Sequence, residues 1–213
     1  MCIRDSYLTI QVRRFGEESI EKIVEWVQDN LPMSPKPSIL EIGSGNGTLL
    51  LALAEELNPK PYLCGIDYSS DAVALSKAIA AERSGSAEDI AFAVCDFLVE
   101  DVSNPQSSYV TSESRWDLIL DKGTLDAIAL GGKDEQGRSP AWNYPSRLAR
   151  ILQPGSIFLV TCERDISDTP DASLMLLHPS MQLHRRGATR SVYYARNRLG
   201  LPVSSRFLLV ARG

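Results

Sequence analysis

Apolar residues at Ile20, Ile23, Val24, Val27 and Leu31 recur at i, i+3, i+4, i+7 and i+11, the spacing of one helix face, until Pro32, Pro35 and Pro37 end the run. An amphipathic helix is therefore expected ahead of the first strand. Short apolar runs then predict strands at Ile39 to Ile42, Tyr62 to Ile66, Ile90 to Val94, Trp116 to Leu120 and Ile157 to Thr161. Helical patterns fall between them. One covers Leu49 to Leu57, and another starts near Asp71, with Ala72, Leu75 and Ile79 on one side and Ser69 or Ser70 as N-cap. A third covers Tyr144 to Leu152 and is closed by Pro154 and Gly155. Ser103 to Ser114 and Gly131 to Ser139 are polar, turn-rich loops, and Phe207 to Val210 reads as a terminal strand. Strands alternating with helices need right-handed crossovers and a parallel sheet covered on both faces, so the expected fold class is a doubly wound α/β domain.

Composition agrees with one domain of ordinary core density: 213 residues, 44% hydrophobic and 23% charged. The balance of 22 Lys+Arg against 27 Asp+Glu leaves a formal charge of −5, which repels a phosphate backbone, so nucleic acid is not the expected partner. No run approaches the roughly 18 apolar residues that span a bilayer, and the expectation is a cytoplasmic protein, monomeric by default. Cys2, Cys64, Cys95 and Cys162 show no C-x-x-C spacing, and with His178 and His184 as the two histidines, neither a metal cage nor a Ser/His/Asp triad is expected.

Both ends depart from this picture. Met1 to Ser6, MCIRDS, reads as the in-frame translation of a sequencing-library adapter, which sets the domain at 7–213 and predicts a longer natural chain. After Asp171 the chain holds seven arginines (185, 186, 190, 196, 198, 206 and 212) and no Lys, Asp or Glu, so the part from about 172 is atypical. Two readings of that tail stand: a basic face that docks an acidic partner or RNA, or a reading-frame error.

Chemistry concentrates in Ile39 to Gly47, ILEIGSGNG, where a strand ends in Gly43, Gly45 and Gly47 and a helix begins at once. Glycines there let the backbone approach a ligand, and a helix N-terminus offers unpaired N–H groups. The plainer reading is a tight turn that binds nothing. Asp67 closes the next strand, where a carboxylate can accept both hydroxyls of a ribose or simply start a turn. Asp96, in CDF beside Phe97, closes the third strand, where it can accept from an exocyclic adenine amine or serve as a loop aspartate. Together the three occupy the carboxyl ends of successive strands, the edge at which open α/β sheets bind ligands. The spacing Gly45-Asn46-Gly47 departs from the dinucleotide G-x-G-x-x-G, and no Gly-Lys-Ser/Thr follows for a P-loop. Acidic Glu41, two residues before Gly43, suits the methionine ammonium of S-adenosylmethionine.

These residues resemble the class I S-adenosylmethionine-dependent methyltransferases, with E-x-G-x-G-x-G in Glu41 to Gly47, then Asp67 and Asp96. RLARILQPGSIFLV, Arg147 to Val160, is similar to their helix, proline-glycine turn and fifth strand. WDLILDKGTLDAI, Trp116 to Ile128, resembles the eukaryotic elongation factor 1-alpha lysine methyltransferases, as does RFGEESIEKIVEWV, Arg14 to Val27. The resemblance implies a Rossmann-like domain with a mostly parallel seven-stranded sheet. It implies S-adenosyl-L-methionine held by Glu41, Gly43, Ser44, Gly45, Asn46, Gly47, Asp67, Tyr68, Asp96 and Phe97. The implied activity is methylation of a lysine on elongation factor 1-alpha. Rival readings are a methyltransferase for a small molecule or RNA, an inactive cofactor-binding domain and, more distantly, a Rossmann oxidoreductase. The Asn/Asp-Pro-Pro-aromatic motif that grips a planar amide or base amine is replaced here by Asp121-Lys122-Gly123-Thr124.

Two readings of Asp121 stand. As the catalytic residue, its carboxylate or the adjoining backbone orients the target amine; otherwise it hydrogen-bonds the N–H groups of Gly123 or Thr124 and holds the turn. Lys122 can pair with the cofactor carboxylate or Asp126, or stay solvated. Phe15, Gly16 and Trp26 can form a lid, although packing is the preferred role for Trp26. Asp134 and Glu135 can attract a basic substrate surface or remain solvated.

Overall fold

The computed structural model describes residues 3–83, 85, 87–102, 116–133, 135–161, 184–186 and 192–196, with side-chain surroundings from Glu17 onward except at 145, 153–155, 184–186 and 192–196. The expectations for Cys2, Cys162, His178, the loop at Ser103 to Ser114 and the strand at Phe207 to Val210 lie outside the described residues.

Helix α1 (Ile3–Asn30) precedes β1 (Ser38–Ile42), α2 (Thr48–Glu56), β2 (Tyr62–Asp67), α3 (Ser70–Glu82) and β3 (Ala91–Val94). Then follow β4 (Trp116–Lys122), α4 (Thr124–Ala129), a 3-10 turn (Pro140–Asn143), α5 (Tyr144–Ile151) and β5 (Leu152–Thr161). The strands lie in the order β3-β2-β1-β4-β5, and every pairing among these five is parallel. This is the doubly wound α/β arrangement expected from the alternation of elements. Winding runs outward from β1 to β3, then returns to place β4 on the other side of β1, which makes the β1/β4 boundary the switch point. Two short segments, His184–Arg186 and Val192–Arg196, pair antiparallel with each other, and the second pairs antiparallel with β5.

Strand residues alternate between two cores. Ile39, Leu63, Phe92, Leu118, Leu120, Ile157 and Leu159 pack with α1, α2 and α3, whereas Leu40, Ile42, Cys64, Ile66, Ile119, Phe158 and Val160 pack with α4 and α5. The central strands β1 and β4 are therefore buried on both faces, which explains why they read as continuous apolar runs. Among the described residues no helix is long and apolar enough to cross a membrane, and no group of three or more acidic, Cys or His side chains could hold a metal ion.

Helix α1 extends from Ile3 to Asn30, through the apolar face expected from Ile20. Two local expectations need correction. In α3 the buried stripe is Val73, Ser76 and Ala80, while Leu75 stands 52% exposed. Small residues face inward because the helix passes close over the glycine loop: a Cβ on Gly47 would stand 3.2 Å from that of Ser76 and 2.7 Å from the Phe92 ring. Finally, Pro154 and Gly155 do not lie in a turn after α5. The helix ends at Ile151, β5 starts at Leu152 opposite Trp116, and a register shift between Trp116 and Leu118 absorbs the pair.

Candidate active site

The β1–α2 turn is built by glycines in left-handed conformations. Gly43, Gly45 and Gly47 have φ of 68°, 53° and 76°, and Gly47 caps α2 without a side-chain hydrogen bond. Gly43 and Ser44 both donate their N–H to Ile66 O, at 2.8 and 2.9 Å, tying the turn to the end of β2. A Cβ on Gly43 would fall 2.0 Å from Thr124 Oγ1, whereas one on Gly45 would meet nothing within 4 Å. The turn is thus roofed at Gly43 and open at Gly45. Asn46 accepts from the N–H and the hydroxyl of Thr48 at 3.3 and 2.5 Å, so its side chain stiffens the first turn of α2.

Asp67 joins two loops. Its Oδ2 accepts from Gly45 N–H at 2.9 Å and its Oδ1 from Ser69 N–H at 2.9 Å, while Ser69 itself caps α3 through Ala72 N–H. The turn-starting role expected as the plainer reading is therefore real, yet each carboxylate oxygen keeps a second lone pair for a ligand hydroxyl. Tyr68 follows it on the rim, 80% exposed. At β3, Asp96 accepts from Leu98 N–H through Oδ1 at 3.0 Å, and its own N–H donates to Glu100. Phe97, the next residue of the expected cofactor set, turns inward. Its ring is buried in the core, edge-on to Tyr144 at 5.0 Å, so it supports Asp96 from beneath instead of lining the open side.

Glu41 is the most unusual member of the site. It sits in the central strand, 1% exposed, with Oε2 lacking any hydrogen-bond partner. Burial pushes its carboxyl up to about 8, with the Lys122 ammonium pulling it down and the Asp121 and Asp67 carboxylates pushing it up. A buried carboxylate oxygen without a donor asks for a cation. Ser44 Oγ is also buried without a partner, packed where a Cβ on Gly65 would stand, at 2.7 Å.

Asp121 is equally buried but fully engaged. Oδ1 accepts from Thr124 N–H at 2.7 Å and Leu125 N–H at 3.2 Å; Oδ2 accepts from Leu125 N–H at 3.1 Å and from the Tyr144 hydroxyl at 2.5 Å. Of the two expected roles, the structure displays the turn-holding one, to Thr124 and Leu125 and not to Gly123. Burial raises its carboxyl to about 6, against the lowering effect of those hydrogen bonds. Lys122 is half-buried and acts on Glu41 through its charge. Trp26 is 3% exposed within the α1–α3 core, in accord with packing; Glu135 is exposed on its loop. The surroundings of Phe15, Gly16 and Asp134 lie outside the described side chains.

Sequence reasoning left four contributors without a role. Thr124 donates its hydroxyl to Ile42 O at 2.9 Å and so fastens the β4–α4 turn over Gly43. Gly65 admits the Ser44 side chain. Tyr144 binds Asp121, and Arg147 donates Nε to Phe97 O at 3.0 Å and Nη2 to Glu100 O. A glycine in the middle of an apolar strand was a readable signal for Gly65; nothing in one sequence marked the α5 residues.

A family model described as a methyltransferase domain matches residues 34–185. The protein-lysine N-methyltransferase efm4 of Schizosaccharomyces pombe is 39% identical over 158 residues, covering 69% of this chain and 63% of that protein. The EEF1A lysine methyltransferase 2 of Danio rerio is 32% identical over 171 residues, covering 80% of this chain and 65% of that one. The chain thus spans less than two thirds of the length of these curated relatives. Among solved structures, the magnesium protoporphyrin IX methyltransferase of Synechocystis PCC 6803 with bound SAM aligns at a TM-score of 0.60 with 18% identity, covering 86% of this chain and 79% of that one, a likeness of fold.

Proposed function

Since this chain belongs to the methyltransferase domain family, we propose that it transfers a methyl group from S-adenosyl-L-methionine to a lysine side chain of a protein, with translation elongation factor 1-alpha as the substrate. The observation that carries the cofactor is the pairing of an open left-handed Gly45 with a buried Glu41 oxygen that lacks a donor. A cradle free of side chains and a buried carboxyl oxygen without a hydrogen-bond partner suit a ligand with an ammonium group, whose charge would favour the anion that burial disfavours. The names of the relatives, protein-lysine N-methyltransferase and EEF1A lysine methyltransferase, support the lysine and the elongation factor. The same reading takes the sheet as seven-stranded, with His184–Arg186 and Val192–Arg196 as its antiparallel edge.

In this mechanism Glu41 holds the cofactor ammonium, Asp67 accepts from ribose hydroxyls, and Asp96 accepts from the adenine amine. Tyr68 covers the rim. When bound, S-adenosylmethionine supplies an electrophilic methyl on a sulfonium. The protein's remaining task concerns the acceptor: a lysine ammonium, ordinarily near pKa ~10.4, must be desolvated and lose its proton before its nitrogen can attack. The β4–α4 turn, held from beneath by Asp121 and fastened to β1 by Thr124, supplies a rigid wall for that placement, and positioning contributes most of the rate. Asp121 is a positioning residue in this scheme.

The test incubates the full chain with methyl-labelled S-adenosylmethionine and a cell extract, then with purified elongation factor 1-alpha. One labelled band at the size of that factor, lost in Asp67→Ala, is the expected result. Label in RNA or small molecules instead, or cofactor binding without any transfer, would overturn the proposed substrate.

A further inference from the structure

The Tyr144 hydroxyl donates to Asp121 Oδ2 at 2.5 Å in a fully buried setting, and its ring packs against Phe97 and Phe158 at 5.0 and 6.4 Å. Asp121 in turn holds the N–H groups of Thr124 and Leu125, and the Thr124 hydroxyl reaches Ile42 O beside Gly43. One continuous set of bonds therefore runs from α5, under the β4–α4 turn, to the glycine loop of β1. Phe97 follows Asp96 directly, so the same tyrosine also supports the opposite side of the crevice.

We propose that Tyr144 is a positioning residue for methyl transfer, whose hydroxyl keeps the Asp121 carboxylate in the acceptor state that holds the β4–α4 turn in place. This rests on the methyl-transfer reading above. The chemistry is that of acceptor capacity. An ionised carboxylate offers about four lone-pair sites, and here three N–H contacts and one hydroxyl fall on it. On protonation one oxygen becomes a donor: the backbone N–H groups cannot accept from it, and the Tyr144 hydroxyl can do so only by giving up the bond it donates. Charge around Asp121 opposes ionisation: Asp126 of α4 repels it, and Glu41 of β1 lies within electrostatic reach, with the Lys122 ammonium beside Glu41. Against these and against burial, the Tyr144 hydroxyl is the largest group favouring the anion. Its position on a different element from the turn makes it separable by mutation from the turn's own backbone.

Tyr144→Phe keeps the ring packing and removes only the hydroxyl. The expected outcome is a fall in kcat of about ten- to a hundredfold, the range for one hydrogen bond to a charged group, with KM for S-adenosylmethionine within about twofold of the wild type. The acid limb of the pH–rate profile should move to higher pH. A carbon-13 NMR titration of Asp-labelled full-length chain, with Asp121→Asn to assign the signal, reads the same quantity without any turnover. Its wild-type midpoint is expected near 6, displaced upward in Tyr144→Phe. An unmoved midpoint would overturn the proposal, even if kcat fell. Conversely, a displaced midpoint in a chain that methylates no protein would uphold the link between Tyr144 and Asp121 while refuting the methyl-transfer reading. Circular dichroism checks that Tyr144→Phe remains folded, and Tyr144→Trp, which keeps a buried aromatic but cannot place a hydroxyl on Oδ2, should displace the midpoint in the same direction.

Discussion

Gly43 and Thr124 show how two motifs far apart in the chain share one contact. The glycine is required twice over, by its φ of 68° and by Thr124 Oγ1 standing where its Cβ would be. Gly43→Ala should therefore cost about 1–3 kcal/mol in a denaturant titration, as overpacked sites do. Thr124→Ala leaves only the Cβ contact, so the double variant should be less destabilised than the two single changes add up to. An additive cycle would separate the two motifs. At Gly45 the same substitution meets open space. There, strain in the left-handed conformation costs about 1 kcal/mol, while cofactor affinity should fall much more because the added methyl enters the cradle. Equal losses of stability and affinity at Gly45 would argue that nothing binds over it.

At the scale of elements, α5 governs the loop that follows β3. Arg147, with 12% of its side chain exposed, donates to the carbonyls of Phe97 and Glu100 and lies 3.2 Å from the carboxylate of Asp101. Arg147→Ala should loosen residues 96–101. The measurement is amide exchange at Leu98, Val99 and Glu100, expected to quicken, together with a KM for S-adenosylmethionine raised by up to about tenfold, equivalent to ~1.4 kcal/mol. Unchanged exchange would show that the loop stands without α5. This helix also marks where the sequence stops being readable. Strand ends and glycine turns announce themselves through apolar runs and residues with restricted backbone freedom, so Gly43, Gly45, Asp67 and Asp96 were all legible as one edge of a sheet. Tyr144 and Arg147 act across long stretches of chain, 23 residues from Asp121 in one case and 50 from Phe97 in the other, and local periodicity carries no trace of such contacts. For the same reason the inner stripe of α3, Val73, Ser76 and Ala80, does not follow from periodicity. Hydrophobicity alone favours Leu75, but the close passage over Gly47 selects Ser76. Adjacency to Asp96 likewise says nothing about which way the Phe97 ring turns, and in the structure it turns toward Tyr144.

For the whole molecule, the topology brings two buried carboxyls to the switch point on neighbouring central strands, with Ile42 and Asp121 as register partners and Glu41 opposite Leu120. By strand alternation they point to opposite faces of the sheet, Asp121 toward α5 and Glu41 toward the α1–α3 side. Both have raised folded-state values, Glu41 from 4.5 to about 8 and Asp121 from 3.8 to about 6. The folded protein then binds more protons than the unfolded chain across that interval, so its stability is greatest below about pH 4 as far as these groups are concerned and declines as pH rises. The Asp121 contribution is lost by about pH 6 and that of Glu41 by about pH 8. Glu41→Gln should flatten the upper part of this decline, raising Tm near pH 8 by about 2–4 °C for each ~1 kcal/mol of ionisation penalty removed. A bound ammonium reverses the sign for Glu41, because it favours the anion that burial disfavours. Affinity for S-adenosylmethionine should therefore rise with pH up to about 8 in the wild type, with proton release detectable by calorimetry in buffers of different ionisation enthalpy. Glu41→Gln should bind more weakly and lose both the slope and the released proton. If it binds as the wild type does, with the slope intact, the cation partner of Glu41 is Lys122 and the ammonium is held elsewhere in the crevice.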